Sequence, residues 1–326
     1  MRAIRLHSPG PPENLVLDEV PDPVPGEGQV GIRVGAAGVH VIDTALRAGR
    51  ASGPLAGAAL PTIPGREVAG VVDALGPGAD PAWLGRRVVV HLGMVPGGYA
   101  ERAVAAQASL HPIPDGLGDA EAVALIGTGR TTMGVVERSA LSGDDVVAVT
   151  GAAGGIGGLI VQIAAARGAT VIALAGGAAK LARARELGAH AAVDYTRDGW
   201  EDRVREAGAP TLAIDAVGGE TGRALLSILA PGGRLAIVGW APDAGPTRAT
   251  TDDLLPRSLA AVVAVGPGAL RGPGGLRGLE ERALGLWTSG EVRRVPVQAF
   301  ALEDAAAAHR AIEERRTMGK VVLVVR

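Results

Sequence analysis

The sequence predicts an α/β protein, a doubly wound parallel sheet accompanied by a smaller β-barrel-like domain. Three observations carry this. Apolar strand segments follow one another from residue 146 to 265, the early ones separated by helical stretches. Short strands punctuated by proline and glycine turns fill the first 120 residues. The 326 residues also exceed the ~250–300 at which a single core stops growing.

In chain order, segments 1–7, 15–20, 30–36, 67–75, 87–91 and 99–104 read as strands. Between them, Pro9-Gly-Pro-Pro12, the proline-rich loop 21–26 and Gly76-Pro-Gly78 mark turns. Residues 146–149 carry no charge and are strand formers, as a strand buried on both faces requires. They run into Gly151, Ala152, Ala153, Gly154, Gly155, Ile156 and Gly157, then a helix over 156–167. Free N–H groups and the positive end of that helix dipole point back at the turn, an arrangement that binds a dinucleotide pyrophosphate. Ala152 stands where the first glycine of G-x-G-x-x-G falls, whereas Gly154 and Gly157 fill the other two places. Ala153, Gly154, Gly155, Ile156 and Gly157 are therefore candidate cofactor contacts.

Strands follow at 170–175, 191–195, 212–217, 234–238 and 259–265, with helices at 178–187 and 198–207. No acid ends the second of these strands, where an NAD site usually has one for the ribose hydroxyls. Lys180 is placed to meet a 2′-phosphate, with the Tyr195 hydroxyl beside it, so NADPH is the expected cofactor. The competing account makes Lys180 a solvated residue of a first helical turn. Segment 320–325 is a last strand, returning to the first domain or extending the sheet. The expected division is 1–120 with 268–326 against 121–267.

Composition removes several function classes. Net charge is −2 with scattered basic residues, which excludes a nucleic-acid partner. No leader-like start and no apolar run long enough for a bilayer occur, so a cytoplasmic protein without membrane contact is expected. The absence of cysteine excludes disulfides, thiol nucleophiles, iron–sulfur clusters and Cys-ligated zinc. With aromatics at 2%, the core must be built from Ala, Val, Leu and Ile.

Ala36-Ala-Gly-Val-His-Val-Ile-Asp-Thr44, Pro64-Gly-Arg-Glu-Val-Ala-Gly-Val-Val72, Gly97-Gly-Tyr-Ala-Glu101, Ala152-Ala-Gly-Gly-Ile-Gly157, Asp215-Ala-Val-Gly218 and Gly319-Lys-Val-Val-Leu323 form an ordered set. Through them the chain resembles, over nearly its whole length, the medium-chain dehydrogenases/reductases, in particular the zinc-independent quinone oxidoreductase (zeta-crystallin-like) branch. The resemblance implies a GroES-like substrate domain made of both chain ends, a Rossmann domain between them, and a cofactor cleft where they meet. It also implies NADPH-dependent reduction of a small-molecule electrophile, a quinone or α,β-unsaturated carbonyl, by a homodimer.

Zinc-containing relatives have ligands at positions traced here to His40, Arg66 and Gly127. Only His40 is a possible ligand, and three protein ligands are the usual requirement, so no metal is expected. His40 replaces the asparagine of many relatives and is a candidate donor to substrate, unless the backbone satisfies it. Arg66 either polarises or anchors a substrate group or pairs with Glu67 or Asp43. Asp43 reads as the N-cap of a helix over 44–48, Glu67 as a structural acid, and Arg130 as solvated. Thr131 matches a position on the nicotinamide side of the cofactor, or caps a helix over 132–139. Val217, Gly218 and Gly239 lie at carboxyl ends of strands, where Trp240 is expected near the nicotinamide, and Asp215 orients its loop. The tyrosine that many quinone reductases of the group carry near Ala45 is missing. Two alternatives stay open: an enoyl-thioester reductase of specialised metabolism, and a catalytically weak NADPH-binding protein.

Overall fold

The computed structural model describes residues 1–50, 59–93, 95–241, 244–266 and 274–326. The chain divides into two compact units, Met1–Gly127 with Val297–Arg326, and Thr128–Pro296.

The first unit opens with β1 (Arg2–Leu6) and β2 (Leu15–Glu19), an antiparallel pair. It continues through β3 (Gln29–Gly38), α1 (Val41–Arg47), β4 (Glu67–Leu75), β5 (Arg87–His91), β6 (Arg102–Ala106), β7 (His111–Pro112) and α2 (Asp119–Val123). Alternation along the strands sends Ile4, Ile32, Val34, Val68, Val72, Val88 and Val90 into one core. Tyr99 is the one aromatic fully buried in that core.

The second unit contains α3 (Arg130–Arg138), β8 (Val146–Thr150), α4 (Gly155–Ala166), β9 (Thr170–Ala175), α5 (Ala178–Glu186), β10 (Ala191–Asp194), α6 (Trp200–Ala207), β11 (Leu212–Asp215), α7 (Gly219–Ile228), β12 (Arg234–Ile237), α8 (Thr251–Leu254), β13 (Ala260–Val263) and α9 (Gly275–Thr288). Its sheet has the order β10-β9-β8-β11-β12-β13 with every pair parallel. This third-second-first-fourth-fifth-sixth order is the doubly wound arrangement, with its switch point between β8 and β11. Ala148, Ile172, Leu174, Ala213 and Leu235 build the core with hardly an aromatic ring.

The chain then re-enters the first unit through β14 (Val297–Ala301), α10 (Ala305–Glu313) and β15 (Lys320–Val324). β15 lies between β14 and β3 in the sheet β14-β15-β3-β4-β5-β7, so the last strand returns to the first unit.

Two expectations differ from the structure. The division at 120/121 falls instead after Gly127, and residues 274–296 group with the second unit; the expected boundary at 267/268 lies outside the described residues. The cause is packing: α9 lies against α3, and the Gln162 amide of α4 bonds to Arg293 and Arg294 backbone groups. The first helix also begins earlier than expected. His40 is the N-cap of α1, and Asp43 sits at its third position, where its carboxylate accepts the His40 N–H at 2.8 Å.

Candidate functional site

In the second unit the glycine turn follows β8. Gly151 has φ +62°, a left-handed conformation that glycine adopts without strain. Gly157 is fixed by crowding: a Cβ there would lie 2.3 Å from the Gly151 carbonyl oxygen. Ala152 is fully buried, so its methyl is accommodated where the usual fingerprint has glycine. Gly154 is the N-cap of α4 and has no side chain to satisfy the first amides, which remain available to an anion. This turn fits a dinucleotide pyrophosphate. Ala153, Gly155 and Ile156 complete it.

Asp215, fully buried at the end of β11, holds the neighbouring switch-point loop. Its Oδ1 accepts from Thr150 Oγ1 at 3.2 Å and from the Val217 and Gly218 amides at 3.0 Å each. Thr247 Oγ1 donates to Oδ2. Asp215 thus ties the ends of β8 and β11 together, the orienting role expected of it. Val217 accepts the Ala241 amide at 2.9 Å, Gly239 faces open space, and Trp240 is exposed.

Around the expected phosphate site the structure adds a group. Lys180 lies in the first turn of α5 and Tyr195 just beyond β10, both partly buried. No acid ends β9, yet Asp194 of β10 reaches that turn and accepts the Gly177 amide at 3.1 Å. Thr196 Oγ1 at 2.6 Å and the Thr196 amide at 3.0 Å occupy its other oxygen. The carboxylate is consumed in shaping the turn.

Thr131 lies inside α3, whose N-cap is Gly129, so it is not a helix cap. Arg130 is not solvated: its side chain is 12% exposed and pairs with Glu280 at 2.9 Å.

In the first unit, strand register assembles a charged cluster. β3 and β4 place Ala37 opposite Val68, so Glu67 comes opposite Gly38. β15 sets Val322 opposite Gly38, and the same register carried two residues further brings Lys320 to His40. Lys320 Nζ lies 2.9 Å from His40 Nε2 and 3.2 Å from Glu67 Oε2. His40 Nε2 is 2.7 Å from Glu67 Oε1. Neither Glu67 oxygen has a partner in hydrogen-bonding alignment. The carboxylate occupies room left by two glycines: a Cβ on Gly127 would lie 1.4 Å from Oε1, and one on Gly38 2.2 Å from Oε2.

Burial alone would push the Glu67 carboxyl up, but His40 and Lys320 together outweigh it and hold it well below the usual carboxylate range. Burial lowers the Lys320 ammonium, against the pull of Glu67. An ammonium has donors only, so His40 Nε2 accepts from Lys320. The Asp43 amide donates to the His40 carbonyl at 3.0 Å. The side chain of His40 is 25% exposed, whereas those of Glu67 and Lys320 are 0% and 5%.

Arg66 is the second cation of the cluster. Its Nη2 is 3.6 Å from Asp43 Oδ1, so the Asp43 pairing is real but loose. Asp43 Oδ2 also accepts the buried Tyr99 hydroxyl at 3.2 Å, and Tyr99 meets His309 Nε2 at 3.3 Å. Burial, then the Asp43 charge, drives the Tyr99 phenol well above its ordinary value. Burial pushes the fully buried His309 down to about 4 from 6.5.

That last shift predicts a pH dependence. Between pH 4 and 6.5 the unfolded chain protonates His309 more than the folded one does, so stability falls as pH drops through this window. The full effect is roughly 3 kcal/mol at ~1.36 kcal/mol per unit. Urea midpoints at pH 7 and pH 5 are expected to differ less in His309→Gln than in the parent; equal differences would contradict the assignment.

The structure therefore brings His40 and Arg66 together with two groups that sequence reasoning left outside the site, Lys320 and Glu67. Lys320 stood out only as one of two lysines, heading an apolar strand.

Residues 26–115 match the alcohol dehydrogenase GroES-like domain, and 155–269 the family described as zinc-binding dehydrogenase. A Pseudomonas aeruginosa quinone oxidoreductase is 31% identical over 330 residues, covering 99% of each chain. A 2-haloacrylate reductase of a Burkholderia species is 30% identical over 328 residues, covering 98% of this chain and 97% of its own. The crystal structure of Escherichia coli quinone oxidoreductase complexed with NADPH superposes with a TM-score of 0.84 at 26% identity, over 99% of this chain and 100% of that one.

A zinc ion is implied by one of those descriptions, and the residues here do not fit it. Among the described residues no three His, Cys, Asp or Glu side chains are grouped to hold a metal. The two donors that come together, His40 and Glu67, both face the Lys320 ammonium. A divalent cation would have to share that space with a positive charge.

Proposed function

From the premise that this chain belongs to the quinone oxidoreductase branch of the medium-chain dehydrogenases/reductases, we propose that it is a zinc-independent reductase of quinones or α,β-unsaturated carbonyls. The chain is an NADPH-binding oxidoreductase. NADPH, when bound, supplies the hydride. The residues fitted to hold it are Ala153 to Gly157 at the pyrophosphate, Lys180 and Tyr195 at the 2′-phosphate, and Val217, Gly239 and Trp240 along the carboxyl edge, with Thr131 toward the nicotinamide.

The observation that carries the zinc-free reading is the Lys320–His40–Glu67 cluster. Reduction of an activated C=C or quinone needs a group that stabilises negative charge building on the acceptor oxygen. His40 performs this, with the Lys320 ammonium 2.9 Å from its Nε2. Glu67 keeps the ammonium charged in a buried place, and the ammonium in turn makes the imidazole a better donor. No nucleophile is required.

The substrate is a small electrophile whose double bond an adjacent oxygen activates, a description that the acceptor of the 2-haloacrylate reductase also meets. The enzyme works as a cytoplasmic homodimer. β13, at the edge of its sheet with Ala260, Ala261 and Val263 exposed, supplies the pairing edge.

The test is turnover of purified protein with NADPH against 9,10-phenanthrenequinone, a 2-alkenal and crotonyl-CoA. Oxidation of NADPH by the quinone or the alkenal is expected. Turnover of the thioester alone would replace this reading by an enoyl-thioester reductase, and NADPH binding without any turnover would leave a binding protein.

A further inference from the structure

We propose that Arg66 anchors a substrate carboxylate, so that the alkenes this enzyme reduces best carry an acid group; the inference rests on the reductase reading above. The Arg66 side chain is 13% exposed, yet among the described residues its ion pair is the 3.6 Å contact with Asp43, longer than a hydrogen bond. Its Nε is buried with no acceptor among the described residues. Asp43 Oδ2 is taken by the His40 amide at 2.8 Å and the Tyr99 hydroxyl at 3.2 Å, so only its Oδ1 faces the guanidinium. The buried Glu67 carboxylate already has its own cation, Lys320, at 3.2 Å. Arg66 is thus a nearly desolvated cation with an under-used fork of donors.

What completes such a fork is planar, negative and has two acceptors side by side. A carboxylate meets all three conditions, whereas a ketone offers one neutral oxygen and no second acceptor beside it. The placement is also chemically useful. A free carboxylate resists hydride addition at the conjugated carbon, because electrons must flow toward a group that is already negative. Pairing with Arg66 offsets that charge while His40 stabilises the oxygen on which more builds. In the balanced step the alkene takes a hydride at its β-carbon from the nicotinamide. Its π electrons move to the α-carbon and carboxylate, and a solvent proton completes the α-carbon. The acid leaves saturated and the nucleotide leaves as NADP⁺.

The experiment compares kcat/KM for 2-chloroacrylate and its methyl ester in the parent, Arg66→Gln and Arg66→Lys. The acid-to-ester ratio is expected to fall roughly 100-fold in Arg66→Gln, the worth of one or two charge-assisted hydrogen bonds. Arg66→Lys is expected to recover only part of it, because a point charge lacks the fork. Calorimetry with 2-chloropropionate, which cannot be reduced, is expected to show binding to the parent that Arg66→Gln loses. An unchanged ratio, or 2-chloropropionate bound equally by both, overturns the assignment. A parent that reduces the ester and a quinone but not the acid also overturns it, with the reductase reading intact. A parent that reduces no acceptor while binding NADPH removes both.

Discussion

Replacing Lys320 with methionine is expected to cost about 3–5 kcal/mol of folding stability, the usual penalty for stripping one partner from a buried ion pair. The side chain is 5% exposed, and it is the nearest full cation to a carboxylate with no exposure at all. Methionine matches its length and removes only the charge. Glu67 then keeps its desolvation cost and loses most of what offsets it, so the carboxyl must take a proton or pull water into the sheet. His40 loses the ammonium that lies 2.9 Å from its Nε2, so turnover is expected to fall together with stability. The double change Lys320→Met with Glu67→Gln is expected to regain much of the stability and little of the turnover, because it removes the stranded charge without restoring the imidazole. Urea denaturation of the three variants checks this; a single Lys320→Met change within about 1 kcal/mol of the parent would show that the cluster is not the electrostatic unit described.

The second large effect is expected at the glycine turn. Gly157→Val brings a Cβ to 2.3 Å from the Gly151 carbonyl oxygen and 2.9 Å from the Ala152 Cα, both backbone atoms. The turn must open, and the amides at the start of α4 lose the aim that lets them share the pyrophosphate charge. A loss of at least ~100-fold in NADPH affinity, about 3 kcal/mol, is expected by titration calorimetry. Affinity within a few-fold of the parent would move the pyrophosphate away from this turn.

The two units were legible in the sequence to different depths. In the second, local signals suffice. Uncharged β-formers at 146–149, the glycine turn and the helix after it are written in consecutive residues, and the alternation of strand and helix predicts a parallel sheet, whose order only the pairing shows. In the first, strands were readable because turns punctuate them, but pairing is set by long-range register that no local pattern reports. The C-terminal strand shows this: its apolar run predicts a strand, and only the contact with β3 decides where it lies.

The same distance hid part of the site. Glu67 and Lys320 are 253 positions apart in sequence, and each alone reads as an ordinary residue at a strand end. Their meeting follows from two registers against β3. The small residues at Gly38 and Gly127 were a usable sign, since room for a buried carboxylate has to come from somewhere. Asp194 escaped for a related reason. An acid is expected at the end of the second strand of that unit, whereas the carboxylate that reaches the turn comes from the third. Asp43 was found but assigned the wrong capping position, because His40, an unusual N-cap, occupies the place expected for it.

Metal dependence of turnover bears most directly on the central claim, which is that an ammonium-backed imidazole replaces a metal at this site. NADPH oxidation with 9,10-phenanthrenequinone is to be followed in protein treated with a strong zinc chelator, then dialysed and checked by elemental analysis. The same rate before and after treatment, unchanged by added Zn²⁺, is the predicted result. Activity that disappears with the chelator and returns with one equivalent of Zn²⁺ would contradict it.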